Sequence, residues 1–233
     1  MNNLSENGVK LKIGLVGTHE VGKTTLGHIL TGYLKAMDYS ANLVHEAARL
    51  SPFGLLEETT MEAEKWIVNQ QINHELVTAR FSDILVCDRT SLDTLAYTKY
   101  VLDKNPSEEN KESYDLINKI VDSNIKSYDV FIYFPIIDKL ITKRNKKHNE
   151  EFKKQVDNYL IKIMEEKNLD NIHKLKSTSI QGRLEEVMNL CCIDKESFRV
   201  VSSDEESLKQ ILSTKDAVLQ KPLEGDKCTF TNQ

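Results

Sequence analysis

The sequence predicts a three-layer α/β fold, in which a parallel sheet of about five strands carries helices on both faces. Short continuous apolar runs, typical of strands that are buried on both faces, alternate with longer segments in which apolar residues recur every three or four positions. Such alternation favours parallel strands joined by right-handed crossovers. The chain has 233 residues, 39% hydrophobic and 29% charged, with only nine Gly and four Pro. This composition is typical of one helix-rich globular domain.

The apolar runs place the strands, and the periodic segments place the helices. Strands are predicted at 13–16, 42–45, 83–87, 129–134 and 171–175, with a further candidate at 198–201. Helices are predicted from the end of the first loop to Met37, at 57–80, 91–102, 107–126 and 150–167, and from Gly182 to Leu190. Thr90 or Ser91 is expected to cap the third helix. We expect a domain at 1–195 and a C-terminal extension at 196–233 that packs on it and ends in a loose tail.

The loop between the first strand and the first helix reads GTHEVGKT, residues 17–24. It fits the phosphate-binding pattern G-x-x-x-x-G-K-[ST] in its strand–loop–helix context, which predicts a P-loop NTPase fold. Gly17 and Gly22 allow backbone N–H groups to wrap the phosphates of ATP, while Lys23 reaches the β- and γ-phosphates and Thr24 ligates Mg²⁺. A glycine-rich turn before an ordinary helix is the alternative. The predicted nucleotide contacts are Gly17, Thr18, His19, Glu20, Val21, Gly22, Lys23, Thr24 and Thr25; His19 and Glu20 are expected to face solvent or a lid.

Polar side chains follow the next two strands. Glu46 and Arg49 come after the second strand, and Asp88 and Arg89 after the third. Ligands of open parallel sheets bind at the carboxyl ends of the strands, so these four residues are site candidates. An Asp at the end of an apolar strand beside a phosphate loop stands where Mg²⁺ needs an oxygen ligand. A local ion pair is the alternative for Asp88 and Arg89.

These pieces together resemble the P-loop nucleoside and nucleoside-monophosphate kinases, particularly thymidylate kinases, deoxynucleoside kinases and nicotinamide-riboside-kinase-like ATPases. The residues that carry the resemblance are GTHEVGKT, HEAAR at 45–49, DRTSLDTLAY at 88–97 and the basic segment followed by EEFKKQVDNYL at 150–160. The likeness spans roughly residues 11–192, and its specific motifs are the phosphate loop and DRT. It implies Mg²⁺-ATP-dependent phosphoryl transfer to a nucleoside, a nucleoside monophosphate or nicotinamide riboside.

The resemblance also implies roles for individual residues. Asp88 would hold Mg²⁺, directly or through water, and Arg89 would contact an acceptor or transferred phosphate. Glu46 stands where deoxynucleoside kinases carry the carboxylate that receives the proton of the attacking hydroxyl. If the acceptor is already a phosphate, Glu46 would instead hold Mg²⁺ or Arg49.

Three further regions are assigned by the same resemblance. Gln70 and Asn73 share the face of the second helix that would meet the acceptor, with Gln71 off that face, although an exposed polar helix side is the alternative. A helical lid is expected at about 137–168, with Arg144 stabilising the transferred charge, or else this segment is solvated surface. The acidic-Gly-x-Arg lid element of riboside-kinase-like proteins is missing. Arg183 would stack on adenine or cap the sheet edge.

Composition also bears on the class of function and of partner. The net charge of −5 argues against a nucleic-acid partner. No apolar run is long enough to span a membrane, and the first residues show no secretory signal, so we expect a cytoplasmic protein. The four Cys lack metal-ligand spacing. The sequence leaves open whether the protein forms a homodimer. The alternative function is a nucleotide-binding ATPase or GTPase switch that acts on a protein or lipid partner, although the guanine-reading Asn-Lys-x-Asp motif is missing.

Overall fold

The computed structural model describes residues 9–137, 150–191 and 193. The five strands in these residues are β1 Leu11–Val16, β2 Ala41–Val44, β3 Ile84–Asp88, β4 Val130–Tyr133 and β5 Ile172–Lys174. The six helices are α1 Lys23–Ala36, α2 Met61–Ala79, α3 Ser91–Lys104, α4 Glu108–Asn124, α5 Glu150–Glu166 and α6 Ile180–Leu190. Short 3₁₀ turns lie at Ala47–Leu50, Leu56–Glu58 and Ile125–Ser127.

The strands form one sheet in the order β2-β3-β1-β4-β5, and every pairing is parallel. The predicted fold is therefore confirmed. Because β1 is central and is flanked by β3 and β4, the loop after β1 lies between the ends of its neighbours. Leu15 is the register partner of Asp88, so the polar residues after β3 lie directly beside the phosphate loop.

The core lies on both faces of this sheet. Phe131 and Ile132 of β4 and Ile13 and Leu15 of β1 are fully buried, as expected for strands covered by helices on both faces. Helix α5 buries Phe152 and neighbouring apolar residues in this core and packs against α3.

The structure corrects one predicted helix boundary, and several other predictions fall on residues that it does not describe. Helix α2 begins at Met61, not at residue 57, because the Thr60 side chain accepts a hydrogen bond from the Ala63 amide and the preceding residues form a 3₁₀ turn. The candidate strand at 198–201, the extension at 196–233 and the first part of the predicted lid, residues 138–149, lie outside the described residues. Among the helices that the structure describes, none has the length and apolar character to cross a membrane.

Candidate active site

The phosphate loop joins β1 to α1 through two glycines with positive φ. Gly17 has φ 150°, and a Cβ there would lie 2.8 Å from the Phe134 carbonyl oxygen. Gly22 has φ 97°, and a Cβ there would lie 2.9 Å from Nη1 of Arg183. Any other residue would be strained at these positions and would clash, so both glycines are required for the shape of the loop.

Lys23, the first residue of α1, turns back over the loop. Its ammonium is buried and donates hydrogen bonds to the carbonyl oxygens of Gly17 and, at 2.6 Å, of Thr18. Burial, together with the positive charge of Arg89, lowers the pKa of Lys23 to about 8. The lysine is therefore held against the carbonyl oxygens of the loop.

Asp88 ends β3 beside the loop, as its position in the sequence predicts. It is 1% exposed, and neither carboxylate oxygen has a hydrogen-bonding partner among the described residues. Burying a carboxylate without a partner is costly. Because Mg²⁺ prefers carboxylate and hydroxyl oxygens, this side chain fits a metal ligand. Thr24, the second predicted ligand, accepts a 3.3 Å hydrogen bond from Nη2 of Arg49.

Glu46 lies between two arginines, both of which the sequence placed in the site. Its Oε1 accepts a hydrogen bond from Nε of Arg89, and its Oε2 accepts one of 2.8 Å from Nε of Arg49. Burial would raise the pKa of Glu46, but the charge of Arg89 and the hydrogen bond from Arg49 lower it to about 2. The carboxylate is therefore ionised at neutral pH and connects the ends of β2 and β3.

Arg89 has an unusual backbone conformation, with φ 76°. Its amide donates to the Leu15 carbonyl at 3.1 Å, and its own carbonyl accepts a 3.2 Å bond from Nε2 of Gln71. Its guanidinium lies 5.2 Å from the centre of the Tyr97 ring. These contacts fix both the backbone and the side chain of Arg89.

A buried polar network behind the site orients Gln71. Gln71 donates to Glu75 at 2.9 Å, and Glu75 accepts further bonds from Lys12 at 2.8 Å, Asn124 at 2.9 Å and the Tyr128 hydroxyl at 2.5 Å. The network buries Glu75 with its charge paired and its lone pairs used. It thereby connects α2, β1 and the end of α4 to the carbonyl of Arg89.

Asp93 is a site residue that the sequence analysis missed. Its Oδ1 accepts a 3.0 Å bond from the Gly17 amide, while its Oδ2 accepts one of 2.9 Å from the Thr90 amide. Thr90 in turn accepts from the Leu92 amide and is the N-cap of α3, which confirms its expected role. The spacing of Thr90 and Asp93 fits a capping box, and that signal was available in the sequence. Burial raises the pKa of Asp93.

Two predicted nucleotide contacts are occupied within the protein. Arg183 is 3% exposed; it donates to the Val21 carbonyl at 2.9 Å and to the Ser177 carbonyl at 3.1 Å, and it lies over the Phe134 ring. It therefore contacts the phosphate loop directly, while its predicted role toward adenine stays a prediction. His19 was expected to face solvent or the lid; it is buried and stacked on Phe152, which lies within the predicted lid range, and its Nδ1 is 3.2 Å from the Tyr97 hydroxyl. Glu20 is exposed, as expected.

The structure shows where the predicted acceptor-facing residues of α2 lie, and their contact with an acceptor stays a prediction. Gln71 is buried against Arg89, whereas Asn73 is exposed and Gln70 is half-buried. The inward face is the polar one because Glu75, one turn beyond Gln71, pairs with Lys12. The predicted lid arginine, Arg144, lies outside the described residues.

The family comparison covers most of the chain. A family model with the description AAA domain matches residues 12–183. A comparison with curated proteins by sequence gives no match.

Solved structures of several kinases share the fold. Deoxyadenosine kinase from M. mycoides with bound dATP is 20% identical, with a TM-score of 0.62 over 78% of this chain and 99% of that one. NadR protein in complex with NAD and AMP-PNP is 17% identical, with a TM-score of 0.59 over 79% of this chain and 50% of that one. Thymidylate kinase from Ehrlichia chaffeensis is 19% identical, with a TM-score of 0.55 over 79% of this chain and 100% of that one. The chain therefore belongs to the AAA domain family and has the P-loop fold of nucleoside and nucleotide kinases.

Proposed function

We propose that the protein transfers the γ-phosphoryl group of ATP, with Mg²⁺, to a small acceptor: a nucleoside, a nucleoside monophosphate or nicotinamide riboside. The observation that carries this proposal is the pair formed by Glu46 and Arg89 beside the phosphate loop. A nucleotide switch needs only the loop and the metal ligands. An ionised carboxylate next to an arginine, at the carboxyl ends of adjacent strands, is the arrangement that an acceptor hydroxyl and a phosphoryl group require.

The loop supplies the donor side of the site. In the proposal, the backbone amides of residues 17–24 and the N-terminus of α1 bind the phosphates, and Lys23 moves from the loop carbonyls to the β- and γ-phosphates. Thr24 and Asp88 hold Mg²⁺, which neutralises the charge of the phosphate oxygens when it is bound. Arg49 donates to Thr24 and Glu46 alike, so the metal ligand and the acceptor carboxylate are connected through one side chain.

Glu46 and Arg89 supply the acceptor side. A carboxylate with a pKa of about 2 is a weak base, so Glu46 serves mainly to orient the attacking hydroxyl by accepting its hydrogen bond. The proton of the attacking hydroxyl leaves late, as is common where phosphoryl transfer depends on positioning and on charge stabilisation. Arg89, with its side chain only 12% exposed, stabilises the charge on the transferred group.

The proposal is tested by measuring ADP release with a panel of nucleosides, nucleoside monophosphates and nicotinamide riboside. At least one acceptor is expected to stimulate ADP release and to yield its own phosphorylated product. Arg89→Lys should lose most of that stimulation because a lysine lacks the planar fork, whereas Arg80→Lys, at an exposed arginine just after α2, should keep it. Hydrolysis of ATP that no acceptor accelerates would overturn the proposal and favour a switch.

A further inference from the structure

A narrow cavity opens beside the Glu46–Arg89 pair. It has a volume of about 50 Å³ and lies between the 3₁₀ turns after β2 and the facing sides of α2 and α3. Its walls are mostly apolar or aromatic and include Leu55, Ile67 and Tyr97. An acceptor whose hydroxyl meets Glu46 would therefore extend its ring into this cavity.

Among the described residues, Glu64 is the one acid lining the cavity that forms no ion pair within 4.0 Å. Glu46 pairs with Arg89 and Arg49, and Asp93 accepts two amide hydrogen bonds. Glu64 is 3% exposed, and its Oε1 accepts a single 2.6 Å bond from the Thr59 hydroxyl. Its Oε2 has no hydrogen-bonding partner in the part of the chain that the structure describes.

A buried carboxylate with an unused oxygen is costly unless a ligand completes its hydrogen bonds. Burial raises the pKa of Glu64 to about 7, although the Thr59 hydrogen bond and the charge of Arg89 oppose the rise. The other groups that face the cavity are Glu46, Arg89, Asp93 and Tyr97. None of them is hydrogen-bonded to Glu64 among the described residues, so Oε2 is free to accept a hydrogen bond from a molecule bound in the cavity.

We propose that Glu64 recognises the ring of the acceptor, and that this ring carries an amino or carboxamide N–H group that donates to Oε2. The inference rests on the proposed function and narrows its substrate class to acceptors with a hydrogen-bond donor remote from the reacting hydroxyl. An oxo or carboxylate group at that position would face the carboxylate and be rejected. Small-molecule sites usually exceed about 300 Å³, so the turns at Ala47–Leu50 and Leu56–Glu58 must move outward to admit the ring.

Three matched pairs of acceptors test the proposal: cytidine with uridine, adenosine with inosine, and nicotinamide riboside with nicotinic acid riboside. In each pair an oxygen replaces the amino group. For the pair that the enzyme uses, kcat/KM is expected to favour the amino member by about tenfold or more, since hydrogen bonds to charged groups are strong. Glu64→Gln should remove most of this preference, mainly through KM. Glu62→Gln, which changes an exposed acid on the same helix, should leave it intact.

A pH series separates recognition from a merely structural role. The preference for the amino member should fall as the pH is lowered from 8 to 6 in the wild-type protein, because Glu64 gains a proton and then donates instead of accepting. The preference of Glu64→Gln should not change over this range. If Glu64→Gln and Glu62→Gln show the same preference for the amino member over the whole range from pH 8 to pH 6, the inference is overturned.

Calorimetric binding of the same acceptors without ATP distinguishes the two proposals. If an amino member binds and Glu64→Gln weakens it, while no acceptor is phosphorylated, the inference holds and the proposed function is wrong. If an acceptor is phosphorylated but Glu64→Gln does not change its preference, only the inference is wrong. If neither the six compounds nor the nucleoside monophosphates of the wider panel bind or react, both are wrong.

Discussion

The backbone amide of Gly17 donates a 3.0 Å hydrogen bond to Oδ1 of Asp93, which ties the phosphate loop to the first turn of α3. The same carboxylate closes the capping box of that helix through the Thr90 amide. One side chain therefore holds the loop and begins the helix whose Tyr97 lies against Arg89. The phosphate loop and the helix that contacts Arg89 are therefore both held by the buried carboxylate of Asp93.

Asp93→Ala should weaken both the fold and the loop. Loss of the cap costs about 1 kcal/mol, and the buried Gly17 amide left without an acceptor costs about 1–3 kcal/mol more. We expect the free energy of unfolding in urea to fall by about 2–4 kcal/mol, and the affinity for an ATP analogue to fall with it. Asp115→Ala, at an exposed position on α4, should stay within about 0.5 kcal/mol of wild type. An equal loss in both variants would contradict this role for Asp93.

Lys23→Met should abolish nucleotide binding without unfolding the protein. Because burial lowers the pKa of Lys23 from 10.5 to about 8, the folded state binds fewer protons than the unfolded state between these values. The stability of the wild type relative to Lys23→Met should therefore rise as the pH is raised from 8 to 10.5, by roughly 3 kcal/mol at most. Urea unfolding of both proteins across this range measures the difference. A difference that is flat with pH would show that the lysine is not buried as a cation.

Asp88→Asn should remove the response to Mg²⁺ while sparing the fold. Both oxygens of the buried carboxylate lack partners among the described residues, so a neutral amide is expected to leave the melting temperature of the free protein unchanged or higher. Melting curves with ATP, in the presence of Mg²⁺ or of a chelator, give the measurement. Wild type and Asp83→Asn, a control at the residue just before the same strand, should gain stability from Mg²⁺. A normal gain in Asp88→Asn would remove this residue from the metal site.

Glu46→Gln should lower kcat for a hydroxyl acceptor by about 100-fold, the lower end of the range for a proton-accepting group, because the carboxylate is a weak base. With the folded pKa near 2, Glu46 stays ionised down to about pH 4, so the rate should not fall through an acidic limb near pH 6. Its contribution to stability is present above the unfolded pKa of 4.5 and is lost as the pH falls towards 2. The pH–rate profile and acid unfolding of both proteins check this. An acidic limb near pH 6 that disappears in Glu46→Gln would contradict it.

Gln71→Leu should slow transfer by about 10- to 100-fold with little change in the KM for ATP. The substitution removes the donor to the Arg89 carbonyl and so releases the strained backbone that aims its guanidinium. Gln70→Leu is the matched control, one position away and half-buried. Steady-state kinetics of the two variants decide between the faces of α2. A larger loss of transfer rate in Gln70→Leu than in Gln71→Leu would support the acceptor face predicted from the sequence, which contains Gln70.

The sheet and the phosphate loop were predictable because their signals are local. Strands β3 and β4 are largely apolar runs, and the spacing of Gly17, Gly22 and Lys23 reflects a loop shape that a few residues determine by themselves. Glu46, Asp88 and Arg89 were predictable from their positions at strand ends, since parallel order brings those ends together.

The remaining contacts depend on partners that are distant in sequence. The inward face of α2 is polar because Glu75 meets Lys12, 63 residues away, so the buried position of Gln71 could not be found from helix spacing alone. His19 is buried because Tyr97 and Phe152 enclose it, and neither is near it in the chain. Glu64 could not be identified either, since an acid in the first turn of a helix is normally an exposed complement to the helix dipole.

The contact between Arg183 and the Val21 carbonyl, which are 162 residues apart, has a consequence for synthesis of the chain on the ribosome. The residues that will wrap the phosphates are made first, but the side chain that holds them in shape is among the last of the described residues to emerge. A nascent chain released before Arg183 would contain the entire GTHEVGKT motif and yet carry a loose phosphate loop. The shape of the loop therefore depends on a contact that can form only late in synthesis.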